Sequence, residues 1–329
     1  MLRFFRSSGS VVIVAIVLIA VTVWFHALSE SGNFFSEKYG TFIFHAFNGW
    51  LVHLPELYAW FGLILFLLIP VMIVYVNVRL HLIEKATYLP ALVYVLLIGG
   101  IPAIHLFNPA MVAAIFLVAG FSFLFKSFES ERLSYCFFTA PVFISVATFF
   151  YQYAYWYMLV VWIAIALLRP GYWREWVFSI LGYAFPLFLV ISWFFLVDDD
   201  VTRLGAFLNE IFTIQRVIPS LSVPVTLFFA VTFAVAVIAI VHIPRYLESK
   251  KMIIRNRYYI VILIIVVTGG MIFAVPDTIP YAWYLLSLPL SFIVSGYLAA
   301  TKSKRLGTIA LSLLFVGVAV AQTIFLFMK

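Results

Sequence analysis

LYAWFGLILFLLIPVMIVYVNVRL, residues 57–80, decides the fold, because it runs for 24 residues with a single charge, Arg79. About 20 consecutive apolar residues suffice for a helix to cross the hydrocarbon core of a bilayer. Ten further apolar runs lie between polar or turn residues. We therefore predict an all-α, polytopic transmembrane bundle with eleven spans: 11–28, 57–80, 88–107, 110–125, 136–151, 154–168, 176–197, 222–243, 258–275, 281–300 and 307–328.

The composition excludes an ordinary soluble domain. Of the 329 residues, 66% are hydrophobic and 10% are charged, whereas soluble domains are about 45–50% apolar and about 25% charged. Aromatic residues make up 19% of the chain, which suits helices whose ends lie at a membrane interface. We predict one integral membrane domain over 1–329, and a single cysteine excludes an internal disulfide framework.

The N-terminus resembles a signal peptide, with Arg3 and Arg6 before an apolar run and Ala27-Leu28-Ser29 after it. The run is long and many spans follow it. We therefore expect an uncleaved first span.

The distribution of Lys and Arg predicts the orientation. Sixteen of these cations fall in alternate connections on one side, and the other side holds only Lys38, Arg203, Arg216 and Lys329. This places the N-terminus in the cytoplasm and the C-terminus outside, in an inner membrane of the bacterial type. The net charge of +7 is then mainly a topology signal, and anionic membrane lipids are expected partners rather than nucleic acid.

The distribution of acidic residues favours polar chemistry on the outer face. Eight of thirteen lie outside in this topology, and none lies in the middle of a span. Intramembrane ionisable residues mark ion paths and proton relays, so their absence from the predicted spans argues against an ion-coupled transporter. Polar chemistry is instead expected on two long outer segments, the first outer connector (29–56) and the second outer connector (198–221).

An amphipathic helix is predicted within each connector. In the first, the apolar face is formed by Tyr39, Ile43, Phe47, Trp50 and Leu54, and the polar face by Lys38, Thr41, His45 and Asn48.

Glu30 and Glu37 in the first outer connector are candidate catalytic residues, as general base or metal ligand. His26, His45 and His53 are near in sequence, but no H-x-x-x-H spacing is present. The alternative interpretation is a solvated loop that precedes an interfacial helix.

Asp198, Asp199 and Asp200 form the densest anionic stretch, a candidate oxygen-ligand site for Mg²⁺ or Mn²⁺. The alternative is that these acids only begin a helix, where carboxylates cap free N–H groups. Arg203 and Arg216 are candidate phosphate-binding residues, since guanidinium binds phosphate in a bidentate way. Contact with lipid headgroups is the competing interpretation.

RPGYWREW (169–176) forms a cytoplasmic turn in which Trp173 and Trp176 are predicted interface anchors. Arg169, Pro170, Trp173, Arg174, Glu175 and Trp176 match the Arg-Pro-x-x-Trp-Arg-Glu-Trp turn of a family of bacterial multi-span inner-membrane proteins, which this chain resembles. YLPALVYVLL (88–97) is also similar to that family. The resemblance implies a multi-span membrane fold and no particular activity.

The layout of the chain is also similar to that of the GT-C glycosyltransferases. Those enzymes carry a catalytic acid on a long first outer loop, have a second large outer loop after span seven, and use polyprenyl-phosphate-linked sugars. The resemblance implies transfer of a lipid-linked sugar at the outer face of the cell envelope, with Glu30 in the position of the catalytic acid. The chain departs from that pattern, because the family usually has an Asp, often within an acidic pair, nearer the membrane.

Two other functions stay open from the sequence. Gly99-Gly100 and Gly269-Gly270 occur 170 residues apart, and the order of spans permits a parallel repeat of 11–151 and 176–328. A transporter or lipid flippase would use such a repeat, with irregular backbone at the Gly-Gly pairs facing a cavity. A non-enzymatic scaffold for an envelope complex is the third alternative.

Overall fold

The computed structural model describes residues 2–6, 9–29, 40–83, 87–101, 104–105, 107–129, 133–169, 171–197, 223–248, 250–301 and 304–327. The described chain is all-α, apart from an isolated bridge between Gly40 and Tyr151. The helices are α1 Leu2–Phe5, α2 Ser10–Ser29, α3 Phe42–Val52, α4 Pro55–Leu80, α5 Leu89–Gly99, α6 Pro109–Ser127, α7 Cys136–Thr148, α8 Met158–Leu168, α9 Trp173–Val197, α10 Val223–Glu248, α11 Met252–Ala274, α12 Ile279–Ala300 and α13 Lys304–Phe327. A 3₁₀ segment, Gln152–Tyr157, precedes α8.

Every predicted apolar run overlaps with a helix of the structure. Seven helices are long and apolar enough to cross a membrane: Leu57–Leu80, Pro109–Ser127, Trp173–Trp193, Val223–Pro244, Met252–Ala274, Ile279–Ala300 and Arg305–Ile324. The other four runs correspond to shorter apolar helices: Ser10–Phe25, Leu89–Gly99, Cys136–Thr148 and Gln152–Leu167. The chain is therefore a helical membrane protein by the length and composition of its helices.

Helix α12 lies at the centre of the bundle. In its most apolar stretch 89% of the residues are buried inside the protein, against 17% in the corresponding stretch of α9. Ser287, Ser291 and Ser295 lie on α12 and are fully buried. Small residues of this kind allow neighbouring helices to approach closely. By contrast α9 lies at the periphery, with most of its surface left for lipid.

The predicted run 88–107 is helical only as far as Gly99, because the chain leaves the helix at Gly100. Helix α5 has 11 residues, all of them buried, and at about 1.5 Å per residue it is too short to cross a bilayer alone. Side chains from distant helices bind the carbonyl oxygens that the break releases: Trp283 binds Leu97, Gln322 binds Gly99, Tyr284 binds Ile104 and Tyr58 binds Phe107, at 2.7–3.0 Å. This satisfies the rule that irregular backbone at membrane depth is buried in protein.

The two Gly-Gly pairs have different environments. Gly99 and Gly100 end α5, whereas Gly269 and Gly270 lie within the continuous helix α11. The prediction of irregular backbone at both pairs is therefore wrong at the second. At the first, protein side chains bind the carbonyl oxygens of Leu97 and Gly99. The parallel repeat itself stays a prediction.

Three arginines gather at one end of the bundle and donate to carbonyl oxygens at the C-terminal ends of helices: Arg6 to Leu298 and Thr301, Arg169 to Ser127, and Arg257 to Leu80 and Phe125. Cations at helix C-termini offset the negative end of the helix dipole. Arg257 is also paired with Glu129. It lies inside α11, which begins six residues before the predicted span.

The helix predicted in the first outer connector is present as α3. Phe47 and Trp50 of its predicted apolar face are 37% and 64% exposed, which suits contact with lipid. Its predicted polar face is not left to water, because Asn48 is buried together with Phe44 and Leu51.

Candidate functional site

Seven of the predicted site residues lie outside the described residues, and their roles stay predictions: Glu30, Glu37, Asp198, Asp199, Asp200, Arg203 and Arg216. The Mg²⁺ or Mn²⁺ site proposed on the Asp stretch lies there too. Within the described ranges, no group of three or more His, Cys, Asp and Glu side chains is arranged to hold a metal ion.

The two predicted interface anchors, Trp173 and Trp176, lie within the described residues. Trp173 is 68% exposed and Trp176 is 38% exposed, and both lie in the first turn of α9. Such positions suit anchoring at a membrane interface, which itself stays a prediction. The turn before them is held by the buried ion pair of Arg169 and Glu175, with 2.6 Å between the nitrogen and oxygen. Gly171 has φ +99°, a conformation that favours glycine at this turn.

A groove of about 440 Å³ opens between α9 and the chain formed by the 3₁₀ segment and α8. We call it the α8–α9 groove. Its lining includes Tyr155, Trp156, Leu159, Trp162, Tyr183 and Leu187. This volume is within the range of about 300–1,000 Å³ that is usual for small-molecule sites.

The groove exists because α9 packs against α7 rather than against α8. Gly182 lies so close to α7 that a Cβ there would be 2.2 Å from the carbonyl oxygen of Phe138. Glycine permits this approach because it has no side chain. The close contact with α7 leaves the side of α9 that faces α8 open.

The rim of the groove is apolar and exposed. Leu159 is 38% exposed and Ile180 is 54% exposed, while Met158 is buried at 5%. In a bilayer, exposed apolar surface of this kind faces hydrocarbon chains. The apolar rim of the α8–α9 groove therefore suits contact with lipid.

The lining of the groove is mostly apolar, and its polar side-chain atoms belong to aromatic residues. The Nε1–H of Trp156 is buried and has no hydrogen-bond acceptor among the described residues. Buried Trp N–H groups usually have an acceptor, so an oxygen of a bound molecule would complete this site. The other donors nearby are paired: Trp162 Nε1 donates to Ser179 Oγ at 3.2 Å, and the hydroxyls of Tyr183 and Thr148 are 3.4 Å apart.

The first outer connector is attached beside one end of the groove. Gly40 pairs with Tyr151, and Thr41 Oγ1 donates to the carbonyl oxygen of Phe149. Phe149 in turn packs with a small apolar cluster whose members include Ile43, Tyr155, Leu187 and Val190. Tyr155 and Leu187 also line the groove.

The second outer connector begins near the same end. Val190 belongs to the cluster around Phe149, and α9 ends at Val197, about 10 Å further along the helix at 1.5 Å per residue. In sequence, Gly40 follows Glu37 by three residues, and Asp198 follows Val197 directly. The described ends of both polar connectors therefore lie toward the same end of the groove.

Sequence reasoning did not identify the groove residues, because 154–168 reads as an ordinary apolar span. One signal was present: YQYAYWY (151–157) contains five aromatic residues in seven. This aromatic run forms the 3₁₀ segment Gln152–Tyr157, and two of its members, Tyr155 and Trp156, line the groove. The depth of the groove, in contrast, depends on how α9 packs and cannot be read from this run.

Comparison of the chain with family models, with curated proteins and with solved structures finds no match.

Proposed function

We propose that this protein binds a lipid-linked substrate through its hydrocarbon tail in the α8–α9 groove and acts on the headgroup at the outer face. The chemistry we propose is that suggested by the resemblance to GT-C glycosyltransferases, transfer of a sugar from a polyprenyl phosphate. The proposed topology is eleven crossings of a bacterial-type inner membrane, with the N-terminus in the cytoplasm and the C-terminus outside.

The observation that carries this proposal is the attachment of the first outer connector at the end of a lipid-accessible groove. Tyr155 and Leu187 contact both the groove and the cluster that holds Ile43. A tail bound in the groove would therefore present its headgroup beside the two polar connectors. Binding energy from a remote part of a substrate can position its reacting group.

The proposed roles of the connector residues follow from this arrangement. Glu30 or Glu37 would activate the acceptor as general base. Arg203 and Arg216 would bind the phosphate, and the Asp198–Asp200 stretch would hold a divalent cation that bridges it.

The position of the three helix-capping arginines supports the proposed sidedness. These arginines contact the C-terminal ends of three helices: Arg6 that of α12, Arg169 that of α6 and Arg257 that of α4. The three helix ends lie at one end of the bundle. The turn Val275–Thr278 and the attachment of Thr41 lie at the opposite end. Cations are enriched on the cytoplasmic side of inner-membrane proteins, which supports our proposal that the groove end near Thr41 lies in the outer half.

The test fills the groove without changing its polar groups. Ala184 lines the groove, and Ala184→Trp places a large ring there. Leu181→Trp is the matched control, because Leu181 lies on the same helix and is 52% exposed. Native mass spectrometry of each purified protein, incubated with polyprenyl phosphate, measures the fraction that carries the lipid.

We expect Ala184→Trp to reduce polyprenyl-phosphate binding at least tenfold and Leu181→Trp to leave it unchanged. Equal binding by all three proteins would refute the assignment of the groove. The chemical step is tested separately with Glu30→Gln and Glu37→Gln, which should retain the lipid and abolish sugar transfer to envelope glycans. Normal transfer by the doubly substituted protein, with lipid binding intact, would instead favour a flippase or a scaffold.

A further inference from the structure

A second groove lies between α4 and α6, at the end of the bundle where the three capping arginines gather. We call it the α4–α6 groove; its volume is about 280 Å³. Its lining extends from Met72 to Leu80 on α4 and from Val118 to Lys126 on α6. Each stretch covers nine residues, or about 12 Å of helix, so the groove runs from the basic end of the bundle toward its middle.

The groove has an apolar length and a cationic mouth. Met72, Val118 and Phe123 line the length, and Arg79 and Lys126 lie at the mouth. Both cations are in the last turns of their helices. A hydrocarbon chain fits the length, and a negative charge fits the mouth.

Phenol groups hold the two cations in place without neutralising them. Arg79 Nη1 donates to the hydroxyl of Tyr75, and the guanidinium carbon is 5.6 Å from the centre of that ring. Lys126 Nζ donates to the hydroxyl of Tyr135 at 3.0 Å. A guanidinium has five N–H donors and an ammonium has three, so both groups retain donors for a further acceptor.

Neither cation has a carboxylate within ion-pair distance in the described part of the chain. The acid closest to Lys126 in the described sequence, Glu129, is paired with Arg257 instead. The other described ion pair joins Arg169 and Glu175. Two cations that have no carboxylate partner among the described residues therefore share the mouth of one mostly apolar groove.

We propose that the α4–α6 groove binds a phospholipid with an anionic headgroup, supplied by the surrounding leaflet. The phosphodiester would accept hydrogen bonds from Arg79 and Lys126, and one acyl chain would lie along Met72, Val118 and Phe123. Basic pockets between transmembrane helices bind anionic headgroups in this way. The site is separate from the α8–α9 groove, and it holds a lipid of the bilayer rather than a substrate.

The test compares two lipids that have the same acyl chains and headgroups of different net charge. Purified protein is titrated with phosphatidylglycerol and with phosphatidylcholine of the same acyl chains, and bound lipid is counted by native mass spectrometry. The variant Arg79→Gln/Lys126→Gln removes the two cations. The control, Arg255→Gln/Arg305→Gln, removes two exposed cations that do not line the groove.

We expect wild-type protein and the control to prefer phosphatidylglycerol, and the Arg79→Gln/Lys126→Gln variant to bind it about 30-fold more weakly, a factor of about five for each cation. Excess inorganic phosphate should not displace the lipid, because the apolar chain contributes to binding. Equal binding of the two lipids by wild-type protein would overturn the proposal, whatever the folding of the variant. So would retention of the preference by the variant, or its equal loss in the control.

Discussion

Replacing Arg169 by methionine should destabilise the end of the bundle where α6, α7 and α9 meet. The Arg169 side chain is 8% exposed and that of its partner Glu175 is 1% exposed. Arg169 also donates to the carbonyl oxygen of Ser127, and its guanidinium carbon lies 5.4 Å from the centre of the Phe137 ring. Methionine has a similar length but neither charge nor donors.

The magnitude follows from what the substitution leaves behind. Removing one partner of a buried ion pair costs about 3–5 kcal/mol, because the other charge stays buried without compensation. The lost hydrogen bond to Ser127 belongs to the same site and does not add independently. We therefore expect a cost of about 4 kcal/mol for Arg169→Met. The double variant Arg169→Met/Glu175→Met should cost much less, because replacing both members of such a pair is often close to neutral.

The single cysteine provides the assay. Cys136 is buried and precedes Phe137, so it lies beside the substituted site. Maleimide labelling of Cys136 in purified protein requires this region to open. A loss of 4 kcal/mol in the opening free energy corresponds to a labelling rate about 700-fold higher.

The comparison of the single and double variants tests whether the unpaired carboxylate of Glu175 is the source of the destabilisation. The reasoning would be refuted if Arg169→Met labelled no faster than wild-type protein. It would also fail if the double variant labelled faster than the single one, because the buried carboxylate would then not be the source of the cost.

Two further experiments test the packing. Gly100→Ala should lower the melting temperature, because a Cβ there would be 2.2 Å from the Phe228 ring. A Cβ at Gly269 meets no atom within 4 Å, so Gly269→Ala should be neutral or stabilising by up to about 1 kcal/mol. Equal effects of the two variants in thermal denaturation would contradict this. The hydroxyls of Tyr157 and Thr268 are 2.8 Å apart, and a double-mutant cycle with Tyr157→Phe and Thr268→Val should give a coupling of about 0.6 kcal/mol; a coupling of zero would exclude a bond between them.

Hydropathy predicted the helices because a bilayer demands long apolar runs, and that demand is local in sequence. Hydropathy alone did not predict the end of α5 at Gly100, although the Gly-Gly pair indicated irregular backbone there. Residues 88–107 contain no Asp, Glu, Lys or Arg, and the groups that stabilise the break, such as Gln322 and Trp283, come from helices far along the chain. Local apolarity therefore extended the span beyond the true helix.

The candidate sites show a different limit of sequence reasoning. Helical periodicity identified α3, yet Asn48 is buried and Trp50 is exposed, since hydropathy does not distinguish a lipid-facing surface from a protein interior. The α8–α9 groove depends on the close approach of Gly182 to α7, a tertiary contact without a local signal. The roles of Glu30 and Arg216 rest on sidedness and stay predictions.

The buried position of α5 has a consequence for biosynthesis. The carbonyl oxygens of Leu97 and Gly99 are bound by Trp283 and Gln322, which are 186 and 223 residues later in the chain. At about 5–20 residues per second, a ribosome needs roughly 10 to 45 s to supply these donors. During that interval water, lipid headgroups or an insertion factor must bind the exposed backbone, so a nascent chain that stalls before Trp283 would be an early target for membrane proteases.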